Sequence, residues 1–208
     1  MEPVILASGS PRRQEFFKLL GLPFSVISAD IDESLCTHTD PEKLTLELAK
    51  RKVEKVLHDL NPPPPWIFGA DTVVTINNKI LGKPENRNEA AEMIRELSGC
   101  QHKVVTSMAL YNGRKKIIDC RSASCTVLFS SLNESEINWY LDTNEWQGVA
   151  GGYRLQGLAS CFISNISGSP STVVGLPLNE FYVMLKDNGY PYLTVGRLDA
   201  EFPSDHLK

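Results

Sequence analysis

One carboxylate lies inside an apolar run. Asp71 occupies the stretch Ile-Phe-Gly-Ala-Asp-Thr-Val-Val, residues 67–74. A charge in such surroundings is paired, binds a metal or acts as a base; a turn-capping structural Asp is the plain alternative. Thr72 adds a hydroxyl beside it. A second group of residues is Ser8-Gly9-Ser10-Pro11-Arg12-Arg13. Ser10 reads as a helix N-cap and Pro11 as the first helical residue. Arg12 and Arg13 then fall in the first turn, where the helix dipole disfavours each by a few tenths of a kcal/mol, up to about 1. They fit that position if an anion docks in front of the helix, on free backbone N–H groups and guanidinium forks. Two lysines complete the set. Lys52 interrupts an apolar helical stripe, and Lys83 follows a hairpin in Gly-Lys-Pro. Either can bind phosphate as a point charge or snorkel into solvent. A basic, glycine-lined pocket with one buried carboxylate suits phosphoanhydride hydrolysis of a nucleotide, where positioning and charge neutralisation do most of the work.

Two loops add further candidates. Asp30, Asp32 and Glu33 are able to hold a hard divalent ion, or simply to form a solvated loop. The glycine-dense segment 148–157 carries Arg154 and Gln156, and an amide can read a base edge through paired hydrogen bonds.

The elements that must position these residues alternate, which predicts an α/β fold. Strand 4–8 feeds the helix at 11–20. An extended piece covers 24–27. Asp40-Pro41 opens a helix that runs to about Leu60, with the stripe Leu44, Leu48, Ala49, Val53, Val56, Leu57 and Leu60, and the run Pro62–Pro65 stops it. Residues 66–84 read as a strand, an Asn77-Asn78 turn and a return strand. A helix at about 88–98 ends at Gly99. Strands at 103–111 and 115–128 are joined by Asn112-Gly113. Ser131-Leu132-Asn133-Glu134 reads as a capping box for a helix to about Leu141. Then come a strand at 158–165, a loop, and a helix at 178–187 closed by Gly189.

The chain has 208 residues, 42% hydrophobic and 22% charged, with net charge −4. That is ordinary for a globular protein and offers no bulk attraction to nucleic acid. No apolar run is long enough to span a bilayer. No basic segment followed by an apolar stretch marks a secretory signal. The five cysteines form no C-x-x-C pair, so reduced thiols in the cytoplasm are expected, without a zinc site. His38, His58, His102 and His206 show no ligand spacing and read as surface or loop residues.

The segments "ASGSPRRQEFFKLLGLPF", "DIDES", "GADTVV…LGKP", "GGYRLQG" and "GSPSTVVGLPL", in this order, resemble the Maf family of nucleoside triphosphate pyrophosphatases over residues 3–189. The resemblance implies an elongated mixed sheet flanked by helices, with two lobes and a central cleft, a fold shared with inosine triphosphate pyrophosphatases. It implies one such domain at 1–189, with residues 190–208 an extension of unassigned role. The implied reaction is metal-dependent cleavage of a nucleoside triphosphate between the α and β phosphates, with Mg²⁺ or Mn²⁺ as cofactor. Asp71 matches the family's proton acceptor. Arg12, Thr72 and Gln156 match positions that set substrate choice. Arg13, Lys52 and Lys83 match basic residues around the phosphates, Ser8 belongs to the phosphate-facing loop, and Glu33 matches an acidic residue placed as a metal contact. Arg12 and Gln156 are similar to the branch acting on dTTP and UTP rather than on 7-methyl-GTP. A homodimer, with no nucleic-acid or membrane partner, is also implied. Two alternatives stay open: a nucleotide-binding regulator of septum formation with little turnover, and a pyrophosphatase for modified nucleotides. Val149 stands where many members carry a lysine.

Overall fold

The computed structural model describes residues 1–191; the extension expected at 190–208 lies outside the described residues from 192 onward, as does His206. Seven strands form one mixed sheet in the order β2-β1-β3-β5-β6-β7, with β4 beside β3. They are β1 (Val4–Leu6), β2 (Phe24–Val26), β3 (Trp66–Ile76), β4 (Lys79–Leu81), β5 (Gln101–Asn112), β6 (Ile117–Phe129) and β7 (Ile163–Ser167). The helices are α1 (Pro11–Leu19), α2 (Pro41–Asp59), α3 (Arg87–Leu97), α4 (Glu134–Asp142), α5 (Pro170–Val174) and α6 (Leu178–Asn188).

The central strand β3 explains where a site can form. On one side it pairs with β5 from Trp66 to Thr75. On its other side β1 pairs only at Ile67 and Phe68, in parallel, and β4 only at Val74–Ile76, antiparallel. Between these stretches lies a notch beside residues 69–73, and Asp71 and Thr72 sit in it. The chain leaving β1 brings Ser8 to the notch from one side. The chain leaving β4 brings Lys83 from the other. Divergence of strands at such a point leaves a crevice for ligands.

The two ends of β3 are packed separately. Around its first half, Phe17 of α1, Phe68 and Phe181 of α6 stack with ring centroids 4.6–5.5 Å apart, together with Trp66 and Met184. Around its second half, Leu81, Ile94, Phe129, Tyr140, Trp146 and Phe162 form another cluster. These are the two lobes, and the cleft runs between them. The helix α2 crosses behind β3, burying Ala49, Val53 and Val56 on Ile67 and Ala109. Its close approach requires Gly69: a Cβ there would stand 2.8 Å from the Ala49 carbonyl oxygen and 3.0 Å from Val53 Cγ2.

Several local expectations need correction. Residues 158–162 form a 3₁₀ turn rather than a strand, because Glu145 accepts from the Leu158 N–H and the Ser160 N–H bonds back to Gly157. The cap of α4 is Asn133, not Ser131. Its side chain accepts from Ser135 and Glu136 N–H while Glu136 bonds back to the Asn133 N–H. The β5–β6 connection is a four-residue loop, 113–116, pinned by the Asn112 side chain, instead of a two-residue turn. The loop after β7 contains α5. His102 is not a surface residue; it is 2% exposed.

Candidate active site

Asp71 anchors the site. Lys52, four residues after Leu48 on the inward side of α2, reaches across the gap that Gly69 keeps narrow. Its Nζ donates to Asp71 Oδ1 at 2.5 Å and lies 3.1 Å from Glu33 Oε1. Both Lys52 and Asp71 side chains are only 12% exposed, whereas that of Glu33 is 50% exposed. Glu33 begins a short 3₁₀ turn capped by Asp32, whose carboxylate accepts from Ser34 N–H and Oγ–H. Asp32 is thus taken up by the turn, and of the acidic loop Glu33 is the carboxylate that lines the cleft.

The two arginines have different tasks. Arg13 is a strut: Nε donates to the Gly175 carbonyl at 2.9 Å, Nη1 to Ser8 Oγ at 2.9 Å and Nη2 to Thr72 Oγ1 at 3.1 Å. Burial pushes its pKa down to about 10, with Asp71 opposing the shift, so it stays charged at neutral pH. The Thr106 hydroxyl donates to the Thr172 carbonyl, so Thr72 must donate to Thr106 at 2.9 Å and accept from Arg13. This one-way chain commits the Thr72 proton inside the protein and leaves the hydroxyl a remaining lone pair. Arg12 makes no hydrogen bond among the described residues and lines the cleft. Burial, then the neighbouring Arg154, depresses its pKa. Ser10 stands at the N-cap of α1 but its side chain caps no N–H, so the first turn keeps donors toward the cleft.

The cleft encloses about 710 Å³ and brings together Ser8, Arg12, Arg13, Glu33, Lys52, Asp71, Thr72, Lys83, Arg154 and Gln156; of the residues singled out from the sequence, Asp30 and Asp32 stay outside its lining. Lys83 and Gln156 are exposed and unpartnered among the described residues. Gln156 belongs to the loop 147–157, tied to the tail of β4 by the Gly151 N–H on the Gly82 carbonyl at 2.9 Å.

The Maf-like protein family model matches residues 3–188. This chain belongs to the Maf-like family. Within it, a curated relative from Symbiobacterium thermophilum named dTTP/UTP pyrophosphatase is 40% identical over 196 residues, covering 94% of this chain and 99% of that one. Another of the same name, from Pelotomaculum thermopropionicum, is 41% identical over 193 residues, covering 93% and 100%. A looser likeness is to the Staphylococcus aureus Ham1 protein, with TM-score 0.43 and 14% identity over 62% of this chain and 72% of that one.

Two ties hold the rim of this Maf-like cleft, one made by Arg154, named above only as a loop candidate, and one by His102, expected at the surface. Arg154 donates from Nε to the Glu145 carbonyl at 2.7 Å and from Nη2 to the Gln147 carbonyl at 2.9 Å, pinning the loop that carries Gln156. His102 on β5 bonds through Nε2 to the Tyr153 hydroxyl at 2.8 Å, fixing the same loop to the sheet. Burial raises the Tyr153 pKa far above its usual value, so the phenol keeps its proton. Neither was legible locally, because each partner is brought in by another element.

A divalent metal needs oxygen ligands that converge. Among the described residues no three His, Cys, Asp or Glu side chains gather as a closed metal site. Glu33 and Asp71 do converge on one point, the Lys52 ammonium. Mg²⁺ is commonly held by one or two carboxylates together with substrate phosphates and water. The residues fit a metal that arrives with a nucleotide. No helix of the described residues is long and apolar enough to cross a membrane, and all five cysteines are free thiols.

Proposed function

We propose that this protein hydrolyses nucleoside triphosphates between the α and β phosphates, releasing the monophosphate and pyrophosphate, with dTTP and UTP as preferred substrates. The observation that carries this reading is the Asp71–Lys52 pair in the sheet notch, ringed by Arg12, Arg13 and Lys83. The names borne by the curated relatives support the choice of substrate.

Each residue then has a role. Asp71 takes a proton from the water that attacks the α-phosphorus, as a positioned base. The new P–O bond forms as the bond to the β-phosphate oxygen breaks, and pyrophosphate leaves. Lys52 holds the Asp71 carboxylate in place and faces the charge that builds on the phosphates. Arg13 orients Ser8 and Thr72 and adds a fixed positive charge. Lys83, Arg12 and the open first turn of α1 receive the polyanion. A bound Mg²⁺ or Mn²⁺, contacted by Glu33 and the substrate's own oxygens, would neutralise phosphate charge. Gln156 faces the base. The same reading places the enzyme in the cytoplasm, as a homodimer.

The experiment is pyrophosphate release from the canonical triphosphates and 7-methyl-GTP, with Mg²⁺ or Mn²⁺, for the wild type and Asp71→Asn. Release from dTTP and UTP that is lost in the variant is expected. Binding without release from any substrate would replace this reading with a nucleotide-binding regulator.

A further inference from the structure

Glu145 lies in the link between α4 and the loop 147–157, and its own place is fixed. Its N–H donates to Thr143 Oγ1 at 3.2 Å, and the next residue, Trp146, is buried with its indole N–H on the Leu141 carbonyl at 3.0 Å. From this base Glu145 holds the loop at two points. Its carbonyl accepts from Arg154 Nε at 2.7 Å, and its carboxylate Oε2 accepts from the Leu158 N–H at 2.8 Å. Gln156 sits midway between those two residues, with its side chain bonded to nothing among the described residues. The two bonds bracket the Gln156 backbone and leave its amide free.

Gly157 shows how close the carboxylate comes. A Cβ there would overlap Glu145 Oε2 and stand 2.8 Å from its Cδ. The Gly157 backbone is extended, with φ −116° and ψ −160°, so the glycine is needed for room and not for conformation. Its N–H bonds to the Arg154 carbonyl at 3.2 Å, and its own carbonyl accepts from the Ser160 N–H at 3.0 Å. Residues 154–158 thus turn tightly around one carboxylate. That carboxylate lines the cleft that receives a triphosphate, where its charge repels the ligand. What it gives in return is a charge-assisted bond to a backbone N–H, about twice as strong as a neutral one.

Resting on the reading of this cleft as a nucleoside triphosphate site, we propose that Glu145 is a positioning residue: bonded to Arg154 and Leu158 and seated against Gly157, it sets the backbone of residues 154–158 before the nucleotide arrives. It moves no proton and touches no reacting atom. The acceptor oxygen is what the loop needs from it, and the negative charge is not. A loop ordered in advance spares the nucleotide the cost of ordering it. Asp71 and Lys52 are held to each other across β3 and α2, away from this clamp. Loosening the clamp therefore weakens binding and leaves the chemical step in place.

The test is steady-state kinetics with UTP and Mg²⁺, beside hydrogen exchange over residues 147–158 and thermal unfolding, for the wild type, Glu145→Ala, Glu145→Gln, Gly157→Ala and the double variant Glu145→Ala with Gly157→Ala. Glu145→Ala should raise KM about tenfold, keep kcat within about twofold and speed exchange in the loop. Glu145→Gln keeps an acceptor for the Leu158 N–H, so its KM should be at or below the wild-type value. Gly157→Ala should match Glu145→Ala, because the methyl group displaces the carboxylate. The double variant should be no worse than either single one, since the shortened side chain leaves room for the methyl. If Glu145→Ala fails to fold, Glu145→Gln and Gly157→Ala carry the comparison. Equal damage in Glu145→Gln and Glu145→Ala overturns the proposal, as does a fall in kcat at unchanged KM or a double variant whose losses add. Turnover of UTP by wild type separates the two claims: with turnover, an unchanged KM in Glu145→Ala sinks only the Glu145 role, and without it the proposed function falls and takes this role with it.

Discussion

On the sheet side of the cleft each polar side chain is already bonded to protein; along the outer rim most are not. Two bonded sets meet at the Asp71-Thr72 step of β3: Lys52 of α2 holds Asp71, and Arg13 of α1 holds Thr72, Ser8 and the Gly175 carbonyl. Arg12, Lys83 and Gln156 line the same space without a partner among the described residues. The difference separates two jobs. Chemistry on a phosphorus atom rewards groups fixed before substrate arrives, since reorganisation then costs nothing at the moment of reaction. Recognition of a nucleotide rewards groups whose hydrogen bonds are still to be made. Substitutions on the sheet side should therefore damage kcat and stability together, and those on the rim should change substrate binding with little effect on stability.

The largest break is Lys52→Met. The stem is kept and the ammonium is lost, leaving the mostly buried Asp71 carboxylate uncompensated. Removing one partner of a buried pair costs about 3–5 kcal/mol, and the 12% exposure of both side chains puts this one near the lower end. Turnover should fall about 10²-fold or more as the base and its neighbouring charge are both disturbed. Urea denaturation and steady-state kinetics on the same preparation check both. A variant with wild-type stability would mean that Lys52 and Asp71 are not paired in solution.

Next comes the joint between the two regions, His102 with Tyr153. Burial lowers the His102 pKa from 6.5 to about 4, against a smaller opposing pull from the Cys100 backbone. The folded protein thus refuses a proton that the unfolded chain accepts below about pH 6.5. The contribution of His102 is complete above that pH and is lost as pH falls toward 4, by about 3 kcal/mol in all. His102→Gln keeps a hydrogen-bonding group but cannot titrate. Between pH 7.5 and 4.5 the wild type should lose roughly 2–3 kcal/mol more unfolding free energy than this variant. Parallel curves for the two proteins would show that the imidazole is open to solvent.

Gly69 sharpens the contrast from the other direction, because it touches neither substrate nor base. Gly69→Ala sets a methyl group against the Ala49 carbonyl and Val53. Overpacking of this kind costs about 1–3 kcal/mol. It also moves α2 outward, and a displacement near 1 Å in a positioning group can cost on the order of 10²-fold in rate. kcat should fall with little change in the UTP/CTP ratio; a changed ratio with intact kcat would contradict the division of labour.

What could be read in advance follows the same division. Asp71 was visible because a carboxylate in an apolar strand is chemically conspicuous, and Lys52 because it interrupts a helical stripe. Their pairing required the sheet notch, which depends on β1 and β4 meeting different ends of β3. The Arg13 strut depends on Gly175, 162 positions away, and no local pattern announces that. The apolar residues at 158–162 suggested a strand, but the preceding Gly157 and the Glu145 carboxylate close the backbone into a 3₁₀ turn instead. Residues whose own surroundings determine them were legible, and residues determined by a distant carbonyl were not.

The smallest effect, and the most selective, belongs to Gln156. Its side chain is exposed and bonded to nothing described, so Gln156→Glu should leave the unfolding free energy within about 0.5 kcal/mol of wild type. Its effect on substrate should still be clear. The new carboxylate loses the amide's donors while keeping acceptors, and it sets a negative charge in the cleft that receives the polyanion. kcat/KM for dTTP and UTP should fall about tenfold, equivalent to about 1.4 kcal/mol, and the preference should move away from the pyrimidines. A kinetic panel over the triphosphates, read beside a melting curve, distinguishes the outcomes. An unchanged profile would remove Gln156 from the reading wall. A lowered melting point with uniform loss of rate would show that the rim is as interlocked as the sheet side, which the absence of any side-chain partner for Gln156 among the described residues argues against.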